Sequence, residues 1–317
     1  MKWHERAGVG VLAKMAPNGT LSLALPSGEQ TTIGTGSPRA DLEIRSYSAV
    51  GQILREGLIG FAEAYMSGVV ETTDLSDLLA WGVANQEAWF EHPLARWTVP
   101  LRKLFQRIIP ERRHRRVRSM NDHYNLGNDF YEAWLDETMT YSSARFRTPD
   151  QGLDEAQRHK YETVAAAAGL RPGMRVLEIG CGFGGFARFA AGELGCEVVG
   201  ITLSREQAAY AERAVRDSGL EESVEVRVQD FRDVNAQFDA VVSIEMIESV
   251  DESQWPDLFS AMSRYIRPGG RVAMQIITIA DSEWERYRSR ADFIQQYIFP
   301  GGQLPAPKIL RGLAKTA

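Results

Sequence analysis

Histidine is scarce and one-sided in this 317-residue chain: all five, His4, His92, His114, His123 and His159, lie before residue 160. The second half has no imidazole of its own, so acid–base work there falls to a carboxylate, a tyrosine or a bound anion. Cysteine is nearly absent too. Cys181 and Cys196 make no disulfide framework, which points to a reducing, cytoplasmic setting. No Cys/His/Asp cluster has metal-ligand spacing, so no metal is expected. No run approaches the ~18 apolar residues of a membrane span. Met1-Lys2-Trp3-His4-Glu5-Arg6 leads into no apolar signal-peptide core. Internal repeats and low-complexity tracts are lacking as well. What is present, 44% hydrophobic residues in a chain of this length, suits two ordinary globular domains.

The net charge of −6 conceals an asymmetry. Residues 101–118 carry Arg102, Lys103, Arg107, Arg112, Arg113, Arg115, Arg116 and Arg118 against one acid, Glu111. The rest of the chain is therefore acidic, which argues against general nucleic-acid binding. The belt begins on Leu101, Leu104, Phe105 and Ile108 at helical spacing. It reads equally as a docking surface for anionic lipid and as a solvated linker helix.

The chain divides near this belt. Residues 1–98 form an expected N-terminal α+β domain, 99–119 a basic amphipathic linker, and 120–317 the main domain. In the first, Leu21-Ser22-Leu23-Ala24-Leu25 and the turn Pro26-Ser27-Gly28 predict strands over 20–45. Helices are expected over 48–95, with Leu54, Leu58, Phe61, Ala62 and Tyr65 on one face. The main domain alternates: strands at 175–179, 196–202, 224–229, 238–244 and 271–279, helices at 154–169, 184–194, 204–218 and 253–266. Such alternation predicts an α/β, Rossmann-like, doubly wound and mostly parallel sheet.

Residues 176–185, Val-Leu-Glu-Ile-Gly-Cys-Gly-Phe-Gly-Gly, run from a buried strand through a glycine turn into a helix. Gly180, Gly182 and Gly184 allow close backbone approach to a ligand. Gly180, Gly182 and Gly185 also satisfy the dinucleotide fingerprint. Two details favour a methyl donor. Glu178, two residues before the first glycine, suits a cationic ammonium and repels a pyrophosphate. The strand from Cys196 to Thr202 lacks the acid expected for an NAD ribose. At the other strand ends, Asp230 is placed to accept from an adenine amino group, Phe231 to give an apolar face, and Gln207 to bond ribose hydroxyls. Cys181 reads as a packed small residue.

Several separated stretches together resemble the cyclopropane fatty acid synthase family of S-adenosylmethionine-dependent methyltransferases. They are His123-Tyr124-Asn125-Leu126-Gly127-Asn128-Asp129-Phe130-Tyr131, Leu135-Asp136-Glu137-Thr138-Met139-Thr140-Tyr141-Ser142-Ser143, the glycine turn, Gly200-Ile201-Thr202-Leu203-Ser204 with Gln207, Gln229-Asp230-Phe231-Arg232-Asp233, and Tyr297-Ile298-Phe299-Pro300-Gly301-Gly302. Glu245-Met246-Ile247-Glu248 and Gln275-Ile276-Ile277-Thr278-Ile279 look like the plant and actinobacterial branch. The resemblance implies a class I methyltransferase fold. It implies a cofactor lining of Tyr141, Ser142, Glu178, Gly180, Gly182, Gly184, Thr202, Leu203, Gln207, Gln229, Asp230, Phe231 and Ile244. It also implies Glu248 holding a bicarbonate as general base, Ile279 offering backbone to that ion, Ser143 at the same site, and Tyr124 facing the reacting carbons; Tyr124, Phe130 and Tyr297 are candidate aromatic faces for a carbocation on the acyl chain. The substrate would be a cis-unsaturated phospholipid acyl chain, met at the inner face of a membrane. The product would be a cyclopropane; a methylene or methyl branch is the alternative. A soluble acceptor is a further reading, against which the apolar and aromatic stretch 284–299, with Trp284, Tyr287, Phe293, Ile294, Tyr297 and Phe299, argues as a lipid pocket; a non-catalytic lipid-binding subunit is another.

Departures from the family pattern cluster at the base. Ser143 stands for a common cysteine, Ile277 and Ser249 for histidines, and Glu245 for a glycine. The chain also ends, at Lys315-Thr316-Ala317, before elements that relatives carry. The expectation is a short chain whose strand Val272-Ala273-Met274-Gln275-Ile276-Ile277 is left as an edge, completed by a second copy or a partner.

Overall fold

The computed structural model describes residues 3–91, 127–288, 292–299 and 302–317. Tyr124 and the basic belt lie outside the described residues. The chain separates into two compact units, Met1–Arg113 and His114–Ala317.

In the first unit the elements are α1 (Trp3–Met15), β1 (Gly19–Ala24), β2 (Gln30–Thr35), β3 (Arg39–Ile44), α2 (Tyr47–Glu56), α3 (Leu58–Met66), β4 (Val70–Glu71) and α4 (Leu75–Glu91). The strands order as β2-β1-β3-β4. β1 is antiparallel to β2, with Leu21 opposite Ile33, and parallel to β3. Period-two patterning explains this: Leu21 and Leu23 are buried while Ser22 between them is exposed. The turn at Pro26–Gly28 closes as expected, Gly28 N–H donating to Leu25 O at 2.8 Å. The single apolar helix face through Leu58 is corrected. Gly57, at φ 64, separates α2 from α3, and Leu58 is exposed. Helix α1, whose Gly8 and Gly10 weaken its propensity, was not expected from the sequence.

The second unit contains α5 (Asn128–Glu132), α6 (Leu153–Ala168), β5 (Arg175–Ile179), α7 (Gly185–Gly192), β6 (Glu197–Thr202), α8 (Arg205–Asp217), β7 (Val224–Val228), β8 (Phe238–Ile244), α9 (Trp255–Tyr265), β9 (Ile266–Gln275), α10 (Trp284–Tyr287) and α11 (Pro307–Thr316). Five parallel strands order as β7-β6-β5-β8-β9. The α/β doubly wound expectation holds. Alternate strand residues fill two cores. Val176, Val198 and Val242 meet α6 and α7 on one face. Leu177, Ile201 and Val241 meet α9 on the other. β9 runs Ile266–Gln275 rather than 271–279, with a register shift against β8 between Phe238 and Ala240. Among the described residues it pairs only with β8.

The order reverses at β5, whose neighbours β6 and β8 lead away in opposite directions. A crevice opens beyond the strand ends at such a reversal.

Candidate active site

One cavity occupies that crevice. Its walls are the 139–142 turn, the glycine turn after β5, the end of β6 with Gln207, the 229–232 segment after β7, and residues 244–250 after β8. Eleven of the expected cofactor positions line it together with Phe231: Tyr141, Ser142, Glu178, Gly180, Gly182, Thr202, Leu203, Gln207, Gln229, Asp230 and Ile244.

The glycine turn is left-handed at Gly180, Gly182 and Gly184, with φ between 52 and 82°. A side chain at Gly182 would meet no protein atom, because that position faces the cavity. Gly184 is the expected cofactor residue that the cavity does not include. A methyl there would press on Ala211 of α8, so its role is helix packing. Gly185, absent from the expected set, does form the wall. A methyl there would collide with the Tyr161 hydroxyl and come within 2.9 Å of Thr140 Oγ1.

Glu178, the penultimate residue of β5, is 2% exposed. The Ala187 N–H, in the first turn of α7, bonds its carboxylate, while Oε2 is buried with no partner. Burial raises this carboxyl to about 8, partly offset by Lys160. An orphaned buried carboxylate oxygen beside a glycine cradle is the receptor an ammonium requires. The site therefore fits the amino-acid end of S-adenosylmethionine. At the end of β6, Thr202 Oγ1 donates to Gln207 Oε1 at 2.9 Å, which leaves the Gln207 amide N–H groups as donors. Asp230 both lines the cavity and caps the turn after β7: Oδ1 accepts from Arg232 N–H at 2.9 Å, and Oδ2 from its guanidinium at 2.5 Å. That pairing holds its carboxyl below the usual range. Cys181 is buried and its thiol pushed up by burial, as suits a packed residue.

Glu248 follows β8, next to the lining residues Ser249 and Val250. Its Oε1 accepts from Ile277 N–H at 2.5 Å, and Oε2 is buried and unpartnered. Burial lifts this carboxyl to about 7. The chain segment at Gly302 and Gln303 packs against Glu248 O, which accepts from Gln303 N–H at 2.9 Å. Phe299 lies 6.4 Å from Tyr141, ring to ring.

The remaining expected catalytic positions are separate from the cavity wall. Ser143 N–H donates to both oxygens of Glu245, at 3.0 and 3.1 Å, and Gln275 Nε2 also bonds Glu245. Glu245 has φ 47, the conformation that favours glycine. Ile279 N–H donates to Pro305 O at 3.2 Å. Tyr297 is exposed and stacks on Phe293 at 5.1 Å. The aromatic stretch 284–299, expected as a lipid pocket, is divided. Trp284 is a core residue against Trp255, and the Tyr287 hydroxyl is held by Leu304 N–H.

Sequence reasoning missed the α6 face behind the cavity. Gln157 Nε2 bonds the carbonyls of Thr140 and Ser142, Lys160 bonds Ser142 Oγ, and Tyr161 bonds Thr140. Nothing in the sequence marks these polar residues, set among the exposed Asp154, Glu155 and Arg158, as buried.

No helix among the described residues is long and apolar enough to cross a membrane. The profile of the family described as mycolic acid cyclopropane synthetase matches residues 111–315. The chain is 38% identical over 300 residues to the tuberculostearic acid methyltransferase UfaA1 of Mycobacterium tuberculosis, covering 92% of this chain and 70% of that protein. It is 34% identical over 276 residues to the cyclopropane-fatty-acyl-phospholipid synthase of Escherichia coli K12, covering 86% and 68%. The crystal structure of mycolic acid cyclopropane synthase CmaA1 complexed with SAH and CTAB superposes with a TM-score of 0.57 at 31% identity, over 62% of this chain and 72% of that one. The parallel sheet, the donor cavity at its reversal point and these likenesses converge: the chain belongs to the mycolic acid cyclopropane synthetase family of S-adenosylmethionine-dependent methyltransferases.

Proposed function

We propose that this enzyme alkylates the cis double bond of an unsaturated phospholipid acyl chain to give a cyclopropane, with Glu248 as the proton acceptor. The observation that carries the reading is Glu248 itself: a buried carboxylate oxygen with no partner, next to the donor cavity, on a carboxyl raised to about 7.

When bound, S-adenosylmethionine supplies a methyl on a sulfonium, an electrophile strong enough for an isolated alkene. Glu178 binds the ammonium; Gln207, Gln229 and Asp230 line the nucleoside end. Transfer forms a carbon–carbon bond, breaks the carbon–sulfur bond and leaves a cation on the acyl chain. The aromatic faces of Tyr141 and Phe299 suit that cation and exclude water that would trap it. Glu248 then takes a proton. Taken from the transferred methyl, it leaves an electron pair that closes the ring.

A bicarbonate does not fit the described residues. The N–H groups available to an anion are engaged: Ile277 by Glu248, Ile279 by Pro305, and Ser143 by Glu245. Glu245 adds a negative charge beside them. Glu248 acts directly as the base.

A second reading keeps the transfer step but follows it with a 1,2-hydride shift that moves the cation onto the methyl-bearing carbon, so that proton loss from the methyl leaves a methylene branch. The likeness to a tuberculostearic acid methyltransferase favours it. The N-terminal unit would act as an accessory to lipid handling, and the basic belt would dock on an anionic membrane. The test is fatty-acid mass spectrometry after expression, with a Glu248→Gln control, in a host that makes cis-unsaturated phospholipids but no cyclopropanes. Ring-bearing acyl chains gaining one CH2 support the proposal, and a methylene branch supports the second reading. No product from protein that binds the cofactor overturns both in favour of a non-catalytic subunit or an enzyme that needs a partner.

A further inference from the structure

Lys160 takes no part in the steps above, yet it is fully buried on α6. A buried ammonium is costly unless something requires it. Its Nζ donates to Ser142 Oγ at 2.6 Å and lies 4.9 Å from the Tyr161 ring. The carboxylates of Glu245, Asp136 and Glu178 face it from the end of β8, the 136–140 turn and the end of β5. None forms a direct ion pair with it among the described residues.

The direction of the Ser142 bond matters. A lysine ammonium only donates, so Ser142 Oγ accepts, and its own proton must point elsewhere. Ser142 lines the donor cavity. Gln157 meanwhile anchors the backbone carbonyls of Thr140 and Ser142, at 3.3 and 2.9 Å, so the turn is fixed and only the hydroxyl torsion is free. An amino-acid tail brings a carboxylate as well as an ammonium. Glu178 suits the ammonium. Among the described lining residues the one cation is Arg232, already held by Asp230.

We propose that Lys160 is a positioning residue for the carboxylate of the methyl donor: it fixes the Ser142 hydroxyl as a donor into the cavity and supplies the positive field at that end. Burial draws its ammonium down to about 8 against the pull of the three acids. An additional anion one hydroxyl away keeps it charged. This inference rests on the methyl-donor assignment of the cavity and not on the acceptor.

The test compares two ligands by titration calorimetry. S-adenosylhomocysteine has the amino-acid end; 5′-methylthioadenosine keeps the nucleoside and lacks it. Lys160→Met and Ser142→Ala should each weaken S-adenosylhomocysteine about tenfold or more, the scale of one charge-assisted hydrogen bond. Methylthioadenosine affinity should stay within about twofold. Equal losses for both ligands would mean a purely structural lysine and overturn the proposal, as would no loss for either. Should Lys160→Met not fold, the wild-type protein still decides. The chain has six lysines, and with ¹³C-lysine labelling the Lys160 Cε signal, recognised by its titration near 8, should move with S-adenosylhomocysteine and not with methylthioadenosine. A signal indifferent to both ligands overturns the proposal. Failure of the wild type to bind either ligand removes the donor assignment itself.

Discussion

Glu178→Gln should make the apo enzyme more stable while abolishing its tight grip on the cofactor. Folding raises this carboxyl from 4.5 to about 8. A carboxyl raised by folding imposes no penalty below its unfolded pKa. The penalty grows with each pH unit up to the folded value and is then constant. At pH 7.5 it amounts to roughly 3 to 4 kcal/mol, at 1.36 kcal/mol per unit. Glutamine avoids ionisation but leaves an amide partly unpaired where Oε2 now has no partner, a cost of about 1–2 kcal/mol. The net gain is about 2 kcal/mol, or roughly 4–8 °C for a unit of this size. At pH 5 the ionisation penalty falls below about 1 kcal/mol, and the gain disappears. Differential scanning fluorimetry at both pH values, with and without S-adenosylhomocysteine, measures all of this. An unchanged or lower Tm at pH 7.5, or an equal gain at pH 5, would refute the argument that Glu178 is held at an energetic cost for an absent ammonium.

Glu248→Gln should lower kcat/KM by about 100-fold or more with S-adenosylhomocysteine affinity within about twofold. The wild-type rate should rise with pH through about 7 as Glu248 deprotonates, a limb the Gln variant lacks, read in a phospholipid-vesicle assay. Gly185→Ala should cost about 1–3 kcal/mol and weaken cofactor binding, because its methyl meets the Tyr161 and Thr140 hydroxyls; thermal shifts with and without S-adenosylhomocysteine read both effects. Trp284→Ala should cost about 3–5 kcal/mol, as for a large core aromatic, since Trp284 is 1% exposed against Trp255. A small change in its melting curve would return that tryptophan to the acceptor pocket.

The main-domain sheet was legible because its inner strands are mostly apolar and its helices amphipathic, patterns set locally by burial on two faces. Much of the cavity wall was legible for a related reason, since ligands meet strand ends and strand ends follow from those patterns; Tyr141 and Ser142 came only from the family resemblance. Side chains that support the cavity from behind were not. Lys160 and Gln157 look like solvent-facing residues of a charged helix until α6 is laid against the 139–142 turn. Trp284 looks like a pocket aromatic until Trp255 is seen against it. Gly184 and Gly185 are adjacent in a glycine run, and only the packing of Ala211 and Tyr161 tells which one faces the ligand. Glu245 is a long-range effect too: its left-handed backbone is held by bonds to Ser143 and Gln275, 102 and 30 residues away.

In the proposed mechanism two elevated carboxylates, Glu178 in β5 and Glu248 in the turn after the neighbouring strand β8, serve opposite ends of one charge balance. Glu178 is raised by burial and must ionise when a cation arrives, so its desolvation sharpens selection for an ammonium over a neutral group. Glu248 meets its cation later. During transfer the positive charge leaves sulfur and reappears on the acyl chain, so the cavity's net charge does not change until a proton moves. When Glu248 accepts that proton, an anion and a cation disappear together from a poorly solvated region, and the burial that raised its pKa to about 7 becomes part of the driving force. A base of ordinary pKa, about 4.3 in water, would leave the cation longer in reach of water. Opening the site around Glu248, by shortening the segment that packs Gly302 and Gln303 against it, should therefore divert product toward hydroxylated chains rather than only slow the enzyme. Mass spectrometry of the acyl products distinguishes the two, and a slower enzyme with unchanged product purity would refute the idea that burial of Glu248 protects the cation.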